Sequence, residues 1–448
     1  MASREQFSSR IGFVFAATGS AVGLGNVWGF PTHTASNGGG AFVLVYLVMA
    51  FCLAYPALMA ELIIGRYAQS NAVTALRKIS TGPISHALAG LVGYGGILAV
   101  SLILGFYAIV AGWMLAYLLA SFADVLGWRE ASAWLTDFDI YRNWLFLGVF
   151  ILATVAIVAR GVTDGIERWS TRLMPVLVIL LVLLIAYVLM QPAAMEGLQM
   201  YLVPDFSHIS PSLVVNAMGQ AFFSMSLGVG GMLIYGSYLS KQANLPRMGM
   251  VVTLIDVGIA FLAGLLIIPA IFVAQHYGAT IYTGAGELLS GPDLIFRVLP
   301  VLFESMGTVG PLVALAFFVL MVIASITSSI AMLEPSVSLI SEETSMSRSR
   351  ATWLIGGAIA ILSAVIAAWF DVLFGLAVTI TTKYSQPLLG MMFCIFAGWI
   401  WHRNEVLKEL RQGNEGVENT LFWRIWPFYI KYFCPVLIFA TFVQKLFE

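Results

Sequence analysis

Along the chain, polar residues gather in short clusters separated by apolar runs long enough to cross a bilayer, which needs ~20 mostly apolar residues. Eleven such runs are predicted as helices: 11–33, 40–65, 88–123, 144–160, 168–191, 212–238, 247–275, 309–340, 351–370, 372–400 and 424–447. The third is long enough to tilt strongly or to extend beyond the membrane. The stretch 276–308 carries too much Gly, Pro and charge to span, and reads as a long outer loop with short helices. Two runs break the pattern. Residues 19–31 read GSAVGLGNVWGFP, and the sixth run contains Ser226-Leu-Gly-Val-Gly230 followed by Gly231. Glycine is a poor helix former, and an unpaired backbone group at membrane depth costs several kcal/mol. The breaks therefore need a physical reason.

Composition agrees with a polytopic membrane protein. The 448 residues are 60% hydrophobic and 10% charged, with net charge −1 and mean hydropathy +0.91. No signal peptide is expected after Met1, because the apolar run is long and no small-residue cleavage site follows it. Sixteen Lys and Arg residues, from Arg4 to Arg424, flank the spans on the N-terminal side, against Arg129, Arg142, Arg297 and Lys445 on the other. The positive-inside rule then places the N-terminus in the cytoplasm and, with eleven spans, the C-terminus outside. Cys52, Cys394 and Cys434 lie in apolar segments and form neither a disulfide framework nor a metal site. The five histidines are scattered, and no nucleophile–base pair appears, so an enzyme is not expected.

Each broken run opens a block of five spans. Five is odd, so the second block inserts upside down relative to the first: a 5+5 inverted repeat over 11–191 and 212–400, with 424–447 as an additional span. Glycine-interrupted spans at matching positions of two halves point to a transporter whose site lies at the breaks. Unwinding frees carbonyls, which a cation can take, and amides at a half-helix N-terminus, which a carboxylate can take. Close helix packing is the simpler use of Gly19 and Gly23, but it does not account for two breaks beside hydroxyl and amide side chains.

The breaks, with Asn37-Gly-Gly-Gly-Ala-Phe42, Glu61-Leu-Ile-Ile-Gly-Arg66, Phe222-Phe-Ser-Met-Ser-Leu-Gly228 and Ala324-Ser-Ile-Thr-Ser-Ser329, resemble the neurotransmitter:sodium symporter family, over nearly the whole chain. Eleven spans are similar to its bacterial amino-acid branch rather than to its twelve-span animal members. The resemblance implies an all-α membrane carrier, working by alternating access in a bacterial cell membrane. It would couple entry of bulky hydrophobic or aromatic L-amino acids to two sodium ions, without an organic cofactor. A sodium-coupled carrier of another small zwitterion or amine is the alternative, and an ion channel the remoter one.

Residue by residue, the resemblance implies a first sodium held by the Ala21 carbonyl, Asn26, Ser224, Asp256 and the substrate carboxylate. A second sodium would take the Gly19, Val22 and Ala324 carbonyls, Thr327 and Ser328. The substrate would lie among Ser20, Ala21, Leu24, Gly25, Ile103, Tyr107, Phe223, Ser224, Ser226, Val229, Ser328 and Met332. Gly23 stands where monoamine carriers place an Asp, which leaves room for a substrate carboxylate. Ala260 matches the serine of the family's chloride site, so the Asp256 carboxylate is expected to supply the negative charge and transport to need no chloride. Arg4, Glu342 and Tyr238 match the inner gate. Asp371 matches the outer gate acid, but Gly29 replaces its arginine, so Phe223, helped by Trp28, is the expected lid. Gly165 and Pro175 match a Gly-x9-Pro segment able to unwind on the cytoplasmic side. Glu61 and Glu334 read as a polar cluster between helices, and Lys383, deep in the tenth run, has no partner that the pattern assigns.

Overall fold

The computed structural model describes residues 4–281 and 294–447; the middle of the expected outer loop, 282–293, lies outside the described residues. The described residues are mostly helical, as a backbone in lipid must be to satisfy its own N–H and C=O groups. Among the described residues, eight helices are long and apolar enough to cross a membrane on their own, and the pair Arg10–Ala21 and Gly25–Ser36, bent by 52°, makes a ninth candidate. The other two expected runs are also helical but interrupted. The sixth consists of Pro211–Ser224 and Gly231–Ser237. The tenth runs from Phe370 to Ile400 through wide turns at Thr379–Ser385 and Phe396–Ile400.

Local sequence sets the helix ends. Ser9, Asn71, Asp139, Ser210 and Asn244 each accept a backbone N–H from the first turn of the helix that follows them, satisfying donors that a helix start leaves orphaned. Pro83, Pro211 and Pro246 stand in first turns, where no N–H is needed. The third expected span is the 43-residue helix Pro83–Val125. At 1.5 Å per residue it is roughly 65 Å long, about twice the apolar thickness of a bilayer. It packs along Gly310–Thr344, where the Ser101 and Ser336 hydroxyls meet at 2.9 Å.

Small residues let backbones touch where the core is tightest. A Cβ on Gly65 would lie 1.9 Å from the Leu233 carbonyl oxygen. Only glycine there allows the second span to run against the short helix Gly231–Ser237. The surrounding core is aliphatic and aromatic, with Phe13, Phe30, Phe42, Tyr46 and Tyr235 at 0–1% exposure. The broken first and sixth spans are thus held at its centre.

Candidate functional site

The first span ends its first half at Ala21. Val22 turns to an extended ψ of 95°, and helix resumes as a wide turn over Gly25–Gly29. The sixth span is open from Met225 to Gly230. There Ser226, Gly228 and Gly230 have φ of 52°, 84° and 76°, a region costly for residues with a Cβ. Ser226 alone carries that strain as a non-glycine residue, and its hydroxyl donates to the Ser20 carbonyl at 3.0 Å. The two breaks therefore touch.

Side chains from other helices take up part of the backbone released by unwinding. The Glu61 carboxylate accepts the Gly228 N–H at 2.8 Å and the Leu233 N–H at 3.3 Å, the latter at the N-terminus of the helix that follows. Gln386 Nε2 donates to the Leu227 carbonyl at 2.8 Å. Glu61 and Glu334 consequently do not form one cluster, contrary to the expectation from sequence. Glu334 is bound by Arg348 Nη1 and Nη2 at 2.8 and 2.6 Å and accepts from the Tyr238 hydroxyl. Each acid found its own donors on a different element.

Two groups of oxygens flank the first break. In one, Asp256 Oδ1 accepts from Asn26 Nδ2 at 2.7 Å and Oδ2 from the Ser224 hydroxyl at 3.0 Å, all three residues being buried. Tyr46 Oη donates to Ser224 at 3.3 Å; it sits in an apolar run that gave no sequence signal. Asn26 Oδ1 is buried without a partner, an acceptor free for a cation. In the other group, the Ser328 hydroxyl lies 3.2 Å from the Gly19 carbonyl and 3.3 Å from the Val22 carbonyl. Thr327 Oγ1 meets the Ala324 carbonyl at 3.1 Å. A Cβ on Gly19 would lie 3.1 Å from Thr327 Cβ, so glycine brings the first and eighth spans together here. Both groups are all oxygen, which suits a hard monovalent or divalent cation rather than a soft metal.

Gly23 faces Ser328 and Tyr107: a Cβ there would lie 2.4 Å from Ser328 Oγ and 3.2 Å from Tyr107 Oη. The Tyr107 hydroxyl is buried without a partner. Next to it opens a cavity of about 450 Å³ on the side away from the N-terminus, lined in part by Leu24, Gly25, Tyr107 and Phe223. The Phe223 ring lies against Gly25, whose Cβ would be 3.1 Å away, and is 36% exposed. Ile103, Ser226, Val229 and Met332 do not line this cavity. It therefore adjoins the expected amino-acid position rather than filling it.

Polar contacts bridge the opposite end. Arg4 pairs with Glu342, donates to Ser237 Oγ at 2.7 Å and lies 4.7 Å over the Tyr238 ring. Glu342 also accepts both the backbone and side-chain N–H of Asn71 at 2.9 Å. Upstream of the first helix, Glu5 accepts the Val162 N–H at 2.6 Å and Glu167 the Ser8 N–H at 2.7 Å, contacts without a sequence signature. Gly165 lies in the wide turn Val162–Glu167 and Pro175 within Arg168–Leu189, so that segment is wound. At the other end Asp371 is exposed, and Gly29 faces Gln220, which donates to the Gly25 carbonyl at 2.9 Å. No ion pair forms between Asp371 and a described residue.

Known proteins share this architecture. The family model described as the sodium:neurotransmitter symporter family matches residues 4–141 and 141–448. The sodium-dependent transporter YhdH of Bacillus subtilis is 34% identical over 456 residues, covering 98% of this chain and 97% of that protein. A sodium-dependent transporter of Haemophilus influenzae is 31% identical, covering 99% and 98%. The crystal structure of MhsT in complex with L-phenylalanine superposes with a TM-score of 0.84 at 34% identity, covering 99% of this chain and all of that one.

Proposed function

This chain belongs to the sodium:neurotransmitter symporter family, whose members are multi-pass sodium-coupled transporters and not enzymes, and on that premise we propose that it carries bulky hydrophobic and aromatic L-amino acids into a bacterial cell together with two sodium ions. The observation that carries the reading is the pair of oxygen clusters, around Asp256 and around Ser328, on either side of a break that touches its counterpart through Ser226. The first sodium takes the Ala21 carbonyl, Asn26, Ser224, Asp256 and the substrate carboxylate. The second takes the carbonyls of Gly19, Val22 and Ala324 with Thr327 and Ser328.

The placement of the rest of the substrate rests on the family resemblance. Its carboxylate meets the amides of Leu24 and Gly25 and the Tyr107 hydroxyl, in the room that Gly23 leaves. Its amine meets the carbonyls of the sixth-span break and Ser328. Ile103, Tyr107, Phe223, Ser226, Val229 and Met332 surround an apolar side chain; MhsT, of similar fold, binds L-phenylalanine. An apolar pocket discriminates by only ~1–3 kcal/mol per methylene, so selectivity is broad. The buried Asp256 carboxylate provides the negative charge beside the first sodium, and chloride is not needed.

Transport proceeds by alternating access between inverted halves, 11–191 and 212–400. The paired Arg4 and Glu342 at one end and the open cavity at the other support an outward-facing state; the N-terminus is cytoplasmic and the C-terminus outside, a reading that rests on the charge asymmetry of the sequence. Closure of Phe223 over the substrate, then parting of Arg4 and Glu342 and unwinding between Gly165 and Pro175, releases the load inward. Two sodium ions with a zwitterion move about two charges. At ~2.3 kcal/mol per charge per 100 mV, the potential supplies roughly 4–5 kcal/mol, on the order of a thousandfold accumulation.

Proteoliposomes test this directly. Labelled L-Trp, L-Phe and L-Leu should enter only with sodium outside, faster than L-Ala, and equally with chloride or gluconate. Counterflow of labelled amino acid should occur, as a carrier requires and a channel does not. Entry without sodium, or a collapse in gluconate, contradicts the proposal.

A further inference from the structure

The eleventh span carries a lysine that the transport site does not use. Lys431 lies within the helix Leu421–Phe447 and makes no ion pair or hydrogen bond with a described residue. An ionisable side chain inside a span is costly unless it serves a ligand or a partner. Its own span and the tenth, 424–447 and 372–400, contain no Asp or Glu. Glu61, on the second span packed beside them, is taken up by the Gly228 and Leu233 N–H groups. Glu418, which precedes the eleventh span, pairs with Arg411 at 2.8 Å.

The surroundings of Lys431 form a fixed aromatic platform. Pro435 has no N–H to offer the Lys431 carbonyl four residues before it. The Trp399 indole takes that place, donating to the carbonyl at 2.7 Å. A Cβ on Gly398 would lie 2.9 Å from Lys431 Cα, so glycine lets the end of the tenth span sit directly on the eleventh. The Lys431 ammonium rests 4.5 Å from the centroid of the Trp399 ring and 5.5 Å from that of Tyr432, both within cation–π reach. Those two rings meet edge to face at 5.4 Å, and Phe428 lies 5.0 Å from Tyr432. Trp399, Tyr432 and Phe428 are 56%, 43% and 59% exposed, and exposure on a span is exposure to lipid. Side chains lean toward the N-terminus of their helix, here the end that the charge asymmetry places in the cytoplasm. Lys431 is therefore directed at the inner headgroup layer, and the exposed Arg424 stands two turns nearer to it on the same face.

We propose that this face of the tenth and eleventh spans binds an anionic phospholipid of the inner leaflet, its phosphodiester held by the Lys431 ammonium and the Arg424 guanidinium and an acyl chain laid over Trp399, Tyr432 and Phe428. A lone snorkelling lysine reaches any headgroup. Here the ammonium is held on two rings, one of them locked to the neighbouring span, and neither span offers a carboxylate to compete. A headgroup of net negative charge is favoured over a zwitterionic one, whose own ammonium would approach the same two cations. The leaflet rests on the proposed orientation of the chain, while the chemistry of the site does not.

The test is lipid binding to the full-length protein, delipidated in detergent and followed by native mass spectrometry, with phosphatidylglycerol and phosphatidylcholine of identical chains as probes. It needs no amino acid, no sodium and no sided membrane, so failure of the transport reading would leave its outcome untouched. The first phosphatidylglycerol should bind about tenfold more tightly than the first phosphatidylcholine. Lys431→Met should remove most of that preference, as loss of a charged hydrogen bond implies, and Lys431→Arg should retain it to within a few-fold. Trp399→Phe, which keeps a ring but gives up the bond to the Lys431 carbonyl, should weaken it a few-fold. Lys408→Gln, which removes an exposed cation from the helix Arg403–Arg411, should leave it unchanged. Each variant is checked for a monodisperse profile, and if Lys431→Met lacks one the same loss is read from Arg424→Gln. Equal affinity of wild type for the two lipids, or an undiminished preference in Lys431→Met, would overturn the assignment. An equal loss in Lys408→Gln would assign the preference to surface charge at large and refute the site. Displacement of phosphatidylglycerol by millimolar inorganic phosphate would reassign the two cations to a free anion and equally refute it.

Discussion

Replacing Gly23 with alanine isolates the geometry of the first break from its backbone conformation. Gly23 does not occupy the left-handed region, and alanine is the better helix former by ~1 kcal/mol, so the backbone itself tolerates the change. The added methyl does not fit. It would lie 2.4 Å from Ser328 Oγ, 3.1 Å from Ser328 Cβ and 3.2 Å from Tyr107 Oη. Ser328 has to move away from the Gly19 and Val22 carbonyls that it now meets at 3.2 and 3.3 Å, and the room for a substrate carboxylate shrinks. Overpacking of this kind costs ~1–3 kcal/mol, which is roughly a five- to hundredfold loss at 1.4 kcal/mol per tenfold. The assay is equilibrium binding of labelled L-Phe to purified protein over a sodium titration. Gly23→Ala should raise the half-saturating sodium concentration and the substrate Kd by up to that factor while the protein remains folded. Gly258→Ala, where a Cβ meets nothing within 4 Å, serves as the control and should bind as wild type. Wild-type binding by Gly23→Ala would refute the placement of substrate and second sodium around Ser328.

Three further outcomes follow from separate parts of the molecule. Asp256→Asn removes the one carboxylate of its cluster, and sodium affinity should fall at least tenfold in the same titration while the fold persists; unchanged affinity would remove Asp256 from the first sodium shell. Arg4→Ala frees the inner end from Glu342, Ser237 and the Tyr238 ring. Because such a partly exposed network is worth about 1 kcal/mol, labelling of a cysteine introduced on the inner face of the first span should quicken by roughly fivefold, and an unchanged rate would deny Arg4 a gating role. Glu409→Ala strands Arg66, fully buried and held by Glu409 at 2.8 Å, and Lys241, held at 3.1 Å. Removing one partner of a buried pair costs ~3–5 kcal/mol, so the melting temperature should drop by several degrees with sodium affinity retained.

How much of this was legible in the sequence depends on whether local chemistry or distant packing decided the outcome. The breaks were legible because glycine carries its own conformational signal: Gly228 and Gly230 adopt the positive φ that favours glycine. Apolar run length was enough to mark helices, since lipid leaves the backbone few alternatives. The resemblance named Asn26, Ser224 and Asp256, and in the fold Asp256 meets Asn26 at 2.7 Å and Ser224 at 3.0 Å. What escaped was pairing between elements. Arg348 reaches back across the turn after Thr344 to neutralise Glu334, and a charge in a polar junction has no sequence mark of its partner. Glu61 is satisfied by backbone N–H groups, which every residue but proline owns. Tyr46 reads as one more aromatic in an apolar run until its hydroxyl is found on Ser224. The cavity too was unreadable, because it depends on how far Phe223 and the tenth span stand from the first.

The central claim is that two interrupted spans bind sodium and an amino acid as one linked unit. Labelled sodium bound per chain, measured with and without saturating L-Phe, tests it most directly, since binding linkage must be reciprocal. Two ions per chain are predicted, bound more tightly with the amino acid present, falling to one in Asp256→Ala and to one in Thr327→Ala/Ser328→Ala. Sodium binding that ignores the amino acid, or that survives intact in both variants, contradicts the account.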